Sequence, residues 1–532
     1  MAEKRGYGLG LQVFKDFIER EAIYVDKTAY VYKMAHTKGK NFFLSRPRRF
    51  GKSLLVSTLE AYFQGRKDLF KGLAIDSLET EWTSYPVIHI DLSSGKYYDL
   101  DSVQSIVGGV LEWYENQYGI PIRREEKLGK RLKDIIYTAY RQTGREVVVL
   151  IDEYDAPMLD SITKPELQDQ IRERIRDLFS PLKSEAQYLR FVFLTGISKF
   201  SQLSVFSELN NLNVLTFDPE YEGVCGITEE ELLTQLKPDI EWLAEAWSYW
   251  IPTTYDEMVE KLKRMYDGYH FSDKMTDIYN PWSVFYAFEK GKVGNYWFST
   301  GTPSSLINLL RVKHLDLKQL ENIEANIERF DAPTERIEDP IPVLFQSGYL
   351  TIKSYNAQDG TYLLGFPNEE VYHGFANSLY KYYTPEYYGS ENMMFNAFLG
   401  LQRKNITFEQ FLESVRKWYA GIPYAITDKN QNEQFYQSLF YALMVGIGAD
   451  VEAEVQTSDG RMDIVFKTPE AIYILEFKYN RTADEAIRQV LTKDYAVRFV
   501  ADPRPVYAVG LNISNDRRTI DNYEVVEVKK TA

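Results

Sequence analysis

The chain has 532 residues, enough for about 3.5 domains of roughly 150 residues each. Apolar residues make up 44% and charged residues 26% of the sequence, which is too apolar for a disordered chain and normal for a folded one. The net charge of −15 excludes a protein that coats nucleic acid through an overall basic field, so any nucleic acid must be held by a local patch.

The cysteine and histidine content limits the chemistry and the compartment. Cys225 is the single cysteine, which excludes an intramolecular disulfide and a cysteine–zinc cluster and fits a reducing cytoplasm. The five histidines are widely spaced, which argues against a histidine-based metal enzyme. No apolar run reaches the ~18 residues of a membrane span, and Met1–Gly8 lacks the apolar stretch of a secretory signal. We therefore expect a cytoplasmic protein with no membrane partner.

The first third of the chain alternates short apolar segments with helical stretches. Helices are predicted at Ser53–Phe63 and Leu167–Phe179, among others. The apolar segments are rich in Val, Ile or Phe, as in strands covered on both faces. These strand candidates are Asn41–Ser45, Pro86–Leu92, Glu146–Ile151 and Arg190–Thr195. Strands that alternate with helices predict a parallel sheet in an α/β domain, which we assign to residues 1–227.

A partial phosphate-binding motif lies between the first strand and the first of these helices. Leu44–Ser53 reads LSRPRRFGKS, and a P-loop reads GxxxxGK(S/T) in that context. Gly51, Lys52 and Ser53 match the motif, whereas Arg46 occupies the position of its first glycine. Gly-Lys-Ser at a helix start also occurs by chance, so the match alone leaves a P-loop undecided.

The matching residues have distinct expected roles. Gly51 would allow close approach of the backbone to phosphates, at a helix start whose free N–H groups and dipole favour anions. Lys52 would reach the β- and γ-phosphates, and the Ser53 hydroxyl would hold Mg²⁺. Arg48 and Arg49 add positive charge beside the loop. ATP with Mg²⁺ is the ligand that these residues predict.

An acidic pair downstream strengthens the prediction. The apolar strand Glu146–Ile151 runs directly into Asp152 and Glu153. In P-loop ATPases the first such acid supports Mg²⁺ and the second polarises the attacking water; the alternative is an ordinary strand that ends in an acidic loop. Thr195 ends the next strand and is a candidate γ-phosphate sensor, although a strand-end hydroxyl that satisfies the backbone is an equal alternative. Three arginines between these strands fit a solvated helix face better than an arginine finger: Arg172, Arg174 and Arg176.

The rest of the chain divides into two predicted regions. Residues 228–390 are dominated by helical patterns with many aromatic residues and turn signals, and we predict a mostly helical middle or lid region. Residues 391–532 form a compact α/β domain in the prediction. Its elements are a helix at Glu433–Val445, strands at Val451–Gln456, Arg461–Lys467 and Ala471–Phe477, a helix at Ala483–Phe499 and a strand at Pro505–Leu511.

A carboxylate–lysine pattern lies in this last domain. Asp463 is on one predicted strand, and Glu476-Phe477-Lys478 ends its hairpin partner, which is the PD-(D/E)xK nuclease pattern. Strand alternation puts Glu476 and Lys478 on one face and Phe477 on the other. The two acids could hold Mg²⁺ or Mn²⁺, and Lys478 could orient or deprotonate the attacking water. Charged strand faces produce the pattern by chance, but here the element order of the fold accompanies it.

Two further residues fall in suitable elements of the same domain. Glu433 opens the preceding helix and could complete the acidic cluster, and Gln489 on the following helix could contact the site or the phosphate. Their alternatives are a helix-start acid and a solvated helix face. They are therefore less well supported than the Asp and the Glu-x-Lys triplet.

Together these residues resemble a bacterial and archaeal family that pairs an AAA-ATPase-like domain with a C-terminal PD-(D/E)xK nuclease-superfamily domain. The resemblance implies ATP binding and a nuclease fold, and it makes Arg46 part of the family's own form of the loop. The matching stretches span nearly the whole chain: Tyr24–Thr28, Ser45–Ser53, Leu150–Asp155, Leu194–Lys199, Tyr266–Phe271, Tyr279–Pro281, Ser299–Pro303, Gln346–Leu350, Gly460–Asp463 and Glu476–Lys478.

Two functions follow as hypotheses. The first is an ATP-dependent and metal-dependent nuclease that acts on nucleic acid, with DNA favoured over RNA. The second is a nucleotide-switched regulatory or binding protein whose nuclease-fold domain does not cut. The complete Glu-x-Lys triplet favours the first, whereas the acidic net charge favours the second. The sequence leaves a homo-oligomer open.

Overall fold

The computed structural model describes residues 4–161, 164–199, 212–298, 320–332, 339–383, 390–422, 432–457, 460–493 and 495–529. They belong to two compact units, the first drawn from Met1–Gly301 and Ile323–Glu370 and the second from Thr302–Asn322 and Val371–Ala532. The predicted middle region is thus divided between the units, with its larger part in the first, and the three domain boundaries stay predictions. Ser299–Pro303, one of the stretches that carry the family resemblance, lies outside the described residues.

A five-stranded parallel sheet forms the centre of the first unit. Its strands are β1 Asn41–Ser45, β2 Val87–Asp91, β3 Val147–Asp152, β4 Leu189–Gly196 and β5 Leu212–Val214. They lie in the order β2-β3-β4-β1-β5, and all neighbours are parallel. β3 is buried along its whole length, as expected for a strand with helices on both faces of the sheet. The parallel α/β arrangement predicted for the first third is therefore confirmed.

Helices cover this sheet and complete its core. They are α1 Phe14–Glu19, α2 Thr28–His36, α3 Lys52–Phe63, α4 Ala74–Leu78, α5 Leu100–Gln117, α6 Leu128–Thr143, α7 Ala156–Asp160, α8 Pro165–Phe179 and α9 Pro181–Ser184. The shared core joins strand residues such as Ile90 and Ile151 to helix residues such as Leu111 and Ile135, all with no exposed surface. Because the strands are parallel, their carboxyl ends meet at one edge, and this edge positions the first candidate site.

The described part of the middle region is mostly helical, as predicted, with short strands between the helices. The helices are α10 Glu229–Gln235, α11 Lys237–Trp247, α12 Tyr255–Tyr266, α13 Pro281–Lys290, α14 Ile327–Phe330 and α15 Ile341–Gln346. The strands are β6 Ile227–Thr228, β7 Ile278–Tyr279, β8 Ile323–Ala325, β9 Thr351–Asn356 and β10 Thr361–Gly365. β8, β10 and β9 form a small antiparallel sheet, and β6 pairs with β7.

Asp267, which follows α12, is a buried acid in this region. Only 3% of its surface is exposed, and its Oδ1 has no hydrogen-bond partner within the described residues. Burial raises the pKa of Asp267 from its ordinary value of 3.8 to about 7, and nearby Asp277 acts in the same direction. The charged form of this side chain therefore costs free energy in the folded protein.

We expect Asp267→Asn to raise the melting temperature at pH 8 and to raise it less at pH 5. The folded-state pKa lies above the unfolded-state value, so the folded protein binds the proton more tightly and the free energy of unfolding falls as pH rises from 3.8 to about 7. An amide removes this cost because a neutral group is cheaper to bury than a charge. Asp273→Asn, at a nearby exposed position, is the control; equal pH profiles for both variants would contradict the buried-charge explanation.

The second unit contains a mixed five-stranded sheet. Its strands are β11 Asp450–Thr457, β12 Gly460–Lys467, β13 Ile472–Tyr479, β14 Val506–Ser514 and β15 Thr519–Val528, paired in that order. β13 and β14 are parallel, and the other pairs are antiparallel. Its helices are α16 Glu369–Tyr383, which starts in the first unit, α17 Ser390–Gln402, α18 Phe408–Ala420, α19 Glu433–Gly446 and α20 Ala483–Thr492.

The element order predicted from Glu433 onward is present, with two differences, and α17 and α18 before it were not predicted. α20 ends at Thr492, and a separate 3₁₀ turn at Tyr495–Phe499 follows, where the sequence predicted one helix to Phe499. β15 was not predicted and forms the edge of the sheet beside β14. Among the described residues, none of the helices has the length and apolar character needed to cross a bilayer.

Candidate functional site

The phosphate-binding loop, residues 46–51, connects β1 to α3 at the carboxyl edge of the parallel sheet. Gly51 has φ +91° and precedes the first residue of α3, a left-handed conformation that disfavours any side chain with a Cβ. Arg49 also has a positive φ, +67°. The first N–H groups of a helix have no intrahelical partner and lie at its positive end, so this turn presents an anion-binding helix start.

Lys52 lies directly over this loop. Its Nζ donates to the carbonyl oxygens of Arg46 at 3.1 Å and Pro47 at 3.2 Å. The same Nζ is 3.3 Å from Glu153 Oε1, and only 3% of the lysine side chain is exposed. The lysine is thus a charged donor held beside the loop, at hydrogen-bond distance from backbone carbonyls and from one carboxylate.

Asp152 and Ser53 meet beside the lysine. The Ser53 hydroxyl lies near the Asp152 carboxylate and favours its charged form, and Asp152 Oδ1 accepts from the backbone N–H of Glu153 at 2.9 Å. Burial, with the nearby Glu153 charge, raises the pKa of Asp152 to about 6. A carboxylate and a hydroxyl are oxygen ligands of the type that Mg²⁺ uses, so these two residues fit a nucleotide-bound Mg²⁺.

Asp155 fixes the geometry of the acidic turn and was not among the predicted site residues. Glu153 has φ +49°, which is unusual for a residue with a side chain. Two residues later the fully buried Asp155 carboxylate accepts from Ile197 N at 3.1 Å, Ser198 N at 2.8 Å and Ser198 Oγ at 2.9 Å. These bonds tie the turn after β3 to the end of β4. The only signal in the sequence was the place of Asp155 in the stretch Leu150–Asp155.

Thr195 makes the contact that we gave as the alternative to a phosphate sensor. Its side chain is fully buried, and its Oγ1 donates to the carbonyl oxygen of Leu44 at 2.8 Å. The backbone carbonyl of Thr195 accepts from Tyr154 N at 3.0 Å. The residue thus ties β4 to β1 and to the acidic turn, and its sensor role stays a prediction.

The arginines near the loop divide into buried and exposed ones. Arg46 is 1% exposed and donates to three backbone carbonyls, those of Ser45, Thr216 and Tyr221. Burial lowers its pKa to about 10. Beside the loop, Arg48 and Arg49 are exposed. On α8, Arg174 and Arg176 are exposed, whereas Arg172 is half-buried and pairs with Asp169.

A cavity of about 470 Å³ opens beside Gly51, Lys52 and Ser53. Its lining also includes the N-terminal segment Gly8–Gln12, Glu153 and Trp282 on α13. Pockets for small ligands commonly measure ~300–1,000 Å³. The cavity is therefore large enough for a nucleotide whose phosphates lie on the loop.

The carboxylate–lysine group lies on β12 and β13 of the second unit. Lys478 Nζ donates to Glu476 Oε1 at 3.0 Å, and Asp463 Oδ2 accepts from the backbone N–H of Phe477 at 2.9 Å. Burial, with the Asp463 charge, raises the pKa of Glu476 to about 7. Burial alone would lower the pKa of Lys478, but the Glu476 charge raises it. The structure thus brings together the three residues that the sequence pattern singled out.

One oxygen of this group is available to a cation. Glu476 is 1% exposed, and its Oε2 has no hydrogen-bond partner in the described part of the chain. Together with the neighbouring Asp463 carboxylate, this donor set fits Mg²⁺ or Mn²⁺, which prefer oxygen ligands. Within the described ranges, no set of three or more His, Cys, Asp or Glu side chains could hold a metal ion.

The two less supported residues differ in their contacts. Glu433, at the start of α19, is joined to the group through Lys478, whose Nζ is 3.4 Å from Glu433 Oε1. Gln489 is half-buried on α20, and no side-chain hydrogen bond links it to the two acids in the part of the chain that the structure describes. Both roles at the site stay predictions.

Two family models match two separate segments of the chain, and each segment contains one of the two candidate sites. The family described as "Predicted AAA-ATPase" matches residues 8–206, which include the phosphate-binding loop and the acidic turn. The family described as "PD-(D/E)XK nuclease superfamily" matches residues 431–523, which include the carboxylate–lysine group.

One curated relative matches the chain over nearly its full length. It is described as an "Uncharacterized protein in vnfD 5'region" of Azotobacter chroococcum mcd 1 and is 32% identical over 539 residues. The match covers 97% of this chain and 98% of the relative. The two proteins therefore share both domains and the region between them.

Two solved structures from Aeropyrum pernix are also similar, at 12% identity. The ORC2 protein, in ADPNP-ADP complexes, gives a TM-score of 0.30 and covers 71% of this chain and 96% of its own. The ORC1 protein, in complex with DNA, gives a TM-score of 0.25 and covers 66% of this chain and 93% of its own. Because these TM-scores are low, nothing about the ligands of either protein is inferred for this chain.

Proposed function

The chain belongs to the family that joins an AAA-ATPase-like domain to a C-terminal PD-(D/E)XK nuclease-superfamily domain, and from this premise we propose that it is an ATP-dependent nuclease acting on nucleic acid, with DNA as the favoured substrate. ATP binds and is hydrolysed at the phosphate-binding loop. Phosphodiester cleavage takes place at the carboxylate–lysine group. ATP occupancy controls the access of nucleic acid to that group. The nucleic acid itself is held by a local patch of the protein surface.

One observation supports the ATP half of the proposal. Lys52, Ser53 and Glu153 line a cavity of nucleotide size at the start of a helix, and the buried Asp152 lies next to Ser53 and Lys52. Lys52 neutralises the β- and γ-phosphates, and Ser53 with Asp152 holds the Mg²⁺ that accompanies them.

Glu153 is the residue proposed to act on water. In the free protein its carboxylate is paired with Lys52 at 3.3 Å. Phosphate binding draws the lysine away, which leaves Glu153 beside the terminal phosphate, where it accepts a proton from the attacking water. The hydrogen bonds of Asp155 hold this turn in place during the exchange.

The contact between Lys478 and Glu476, beside Asp463, supports the nuclease half. Asp463 and Glu476 would hold a divalent ion, which would supply an acidified water and would screen the charge on the scissile phosphate. The acids bind and orient that ion. Lys478 orients the attacking water by donating a hydrogen bond to it, because its ammonium lies 3.0 Å from Glu476 Oε1, an oxygen of one of the two acids that would hold the ion.

The acidic charge supports a second candidate function. A net charge of −15 opposes association with a polyanion, and a nucleotide-switched binding protein would not need to hold nucleic acid against that field. In this candidate ATP still binds at Lys52, but the second unit recognises a partner without cutting.

The test of the ATP half is a titration of the full-length wild-type chain with a fluorescent ATP analogue, with and without Mg²⁺. We expect saturable binding that unlabelled ATP displaces and that Mg²⁺ strengthens. Absence of binding in both conditions would overturn both candidate functions, since each requires a nucleotide on the loop.

A further inference from the structure

The phosphate-binding loop of this chain carries side chains where a glycine-rich loop would have none. Residues 46–50 are Arg, Pro, Arg, Arg and Phe. Each of them contacts a residue more than 200 positions later in the chain, within the same compact unit. We call these later residues the cradle: Tyr269, Phe271, Trp282, Trp297 and Gly348.

The two ends of the loop are held by a pair of aromatic residues that follow α12. The Arg46 guanidinium lies 4.0 Å from the centre of the Phe271 ring. Phe50 packs edge-on against Tyr269, with ring centres 4.8 Å apart, and against Phe271 at 5.7 Å. Phe50 directly precedes Gly51, so the packing of this ring determines where the anion-binding turn begins.

The centre of the loop is held by close contact and by a hydrogen bond. Gly348 has φ +86°, and a Cβ at this position would lie 2.6 Å from Pro47 Cβ and 2.8 Å from Pro47 Cγ. The indole Nε1 of Trp297 donates to the carbonyl oxygen of Arg48 at 3.0 Å. A side chain at position 348 would therefore displace Pro47, and the hydrogen bond from Trp297 fixes the carbonyl of Arg48.

The remaining contact reaches the cavity itself. The Arg49 guanidinium lies 4.2 Å from the centre of the Trp282 ring, and both residues line the cavity beside Lys52. A cation over an aromatic face is attracted by the negative face of the ring. Arg49 is therefore positioned by the cradle and not by the loop's own backbone alone.

We propose that the cradle sets the shape of the phosphate-binding loop, so that the ATP site is built jointly by the N-terminal sheet and the middle region. The cradle residues are positioning residues: they act on the nucleotide through residues 46–50. Because linkage is reciprocal, ATP on the loop must in turn stabilise the cradle, and the middle region senses nucleotide occupancy. This inference rests on the proposed ATP binding and adds that the middle region controls that binding.

The test compares two glycines of the middle region in the full-length chain. Gly348→Ala and Gly360→Ala both place a Cβ on a left-handed backbone, with φ +86° and +72°, but only the first Cβ meets the loop; nothing lies within 4 Å of the second. We expect Gly348→Ala to raise the Kd of the fluorescent ATP analogue at least about tenfold, because the added Cβ would displace Pro47 and with it the phosphate-binding turn. Gly360→Ala should keep the wild-type Kd.

A second pair of variants removes a hydrogen bond without adding bulk. Trp297→Phe deletes the donor to Arg48, and the control Trp250→Phe changes an indole that is 58% exposed. We expect only Trp297→Phe to weaken ATP binding. This pair decides the question if Gly348→Ala fails to fold.

Amide hydrogen exchange supplies a readout that a purely structural role would not change. In the wild type, ATP should slow exchange at residues 269–271 and 345–350, and this slowing should be lost in Lys52→Ala. If the wild type binds ATP but the two glycine variants bind it equally, or if exchange at these residues ignores ATP, the cradle proposal is wrong while the proposed function stands. If the wild type binds no ATP, both the cradle proposal and the proposed function are wrong.

Discussion

Lys52→Ala should lower the affinity for ATP at least tenfold. The variant loses a charge-assisted contact to the β- and γ-phosphates, worth ~1.5–3 kcal/mol, and about 1.4 kcal/mol corresponds to a factor of ten. The measurement is the Kd of the fluorescent ATP analogue for the full-length chain. The matched control is Lys33→Ala, which removes an exposed lysine of α2 in the same unit and should leave the Kd unchanged.

Glu153→Gln separates binding from hydrolysis at the same site. The amide keeps the shape of the side chain but cannot accept the proton of the attacking water, so ATP should bind while phosphate release stalls. It also removes the negative partner of Lys52, which should leave binding equal to or tighter than that of the wild type. If Lys52→Ala and Glu153→Gln both bind and hydrolyse ATP like the parent, the site lies elsewhere.

Asp463→Ala and Glu476→Ala should each abolish cleavage of nucleic acid while ATP turnover stays intact. One carboxylate alone leaves too few oxygen ligands to hold a divalent ion in position. The fold should survive, because the remaining acid loses a repelling neighbour: the Asp463 charge contributes to the raised pKa of Glu476. The readout is metal-dependent cleavage of plasmid DNA, with ATP hydrolysis measured on the same sample.

Lys478→Ala should keep the metal affinity and lose most of the cleavage rate, since the lysine acts on the water. The control is Glu470→Ala, which removes an exposed acid between β12 and β13 that pairs with Lys404. Wild-type cleavage by Asp463→Ala would show that the reaction does not use this group. Loss of cleavage in Glu470→Ala would show that the assay reports general damage to the unit.

The sequence was most informative where the local pattern and the fold agree. β1 has the bounds that its apolar segment predicted. Glu153, directly after β3, pairs with Lys52 because parallel strands end at one edge of the sheet. In the second unit, strand alternation placed Glu476 and Lys478 on one face, and their side chains are in contact.

Arg46 shows a limit of motif comparison. Measured against a P-loop motif, it occupies the place of a glycine. In the structure it is a buried residue whose Nη1 and Nη2 donate to carbonyls of Ser45, Thr216 and Tyr221. Partners 170 or more positions away cannot be found from local spacing, and the same holds for the cradle that surrounds the loop.

Two other residues show what a single sequence leaves undecided. Thr195 could be a sensor or a strand tie, and only the geometry reveals its bond to Leu44. Asp155 belongs to the acidic stretch, but its role could not be predicted from the sequence. Its hydrogen-bond donors, Ile197 and Ser198, follow β4, more than 40 positions later in the chain. β15 was missed because polar and apolar residues alternate irregularly along an edge strand whose pairing shifts register at Asn512/Ile513.

Cleavage of supercoiled plasmid DNA by the purified wild-type chain, with Mg²⁺ or Mn²⁺ and with or without ATP, tests the central claim most directly. We expect cleavage that requires the metal, changes with ATP and is absent from Asp463→Ala under the same conditions. If the wild type binds ATP but cuts neither DNA nor RNA in any combination of metal and nucleotide, the nuclease proposal is wrong. The chain would then be a nucleotide-switched binding protein in which Asp463, Glu476 and Lys478 do no chemistry.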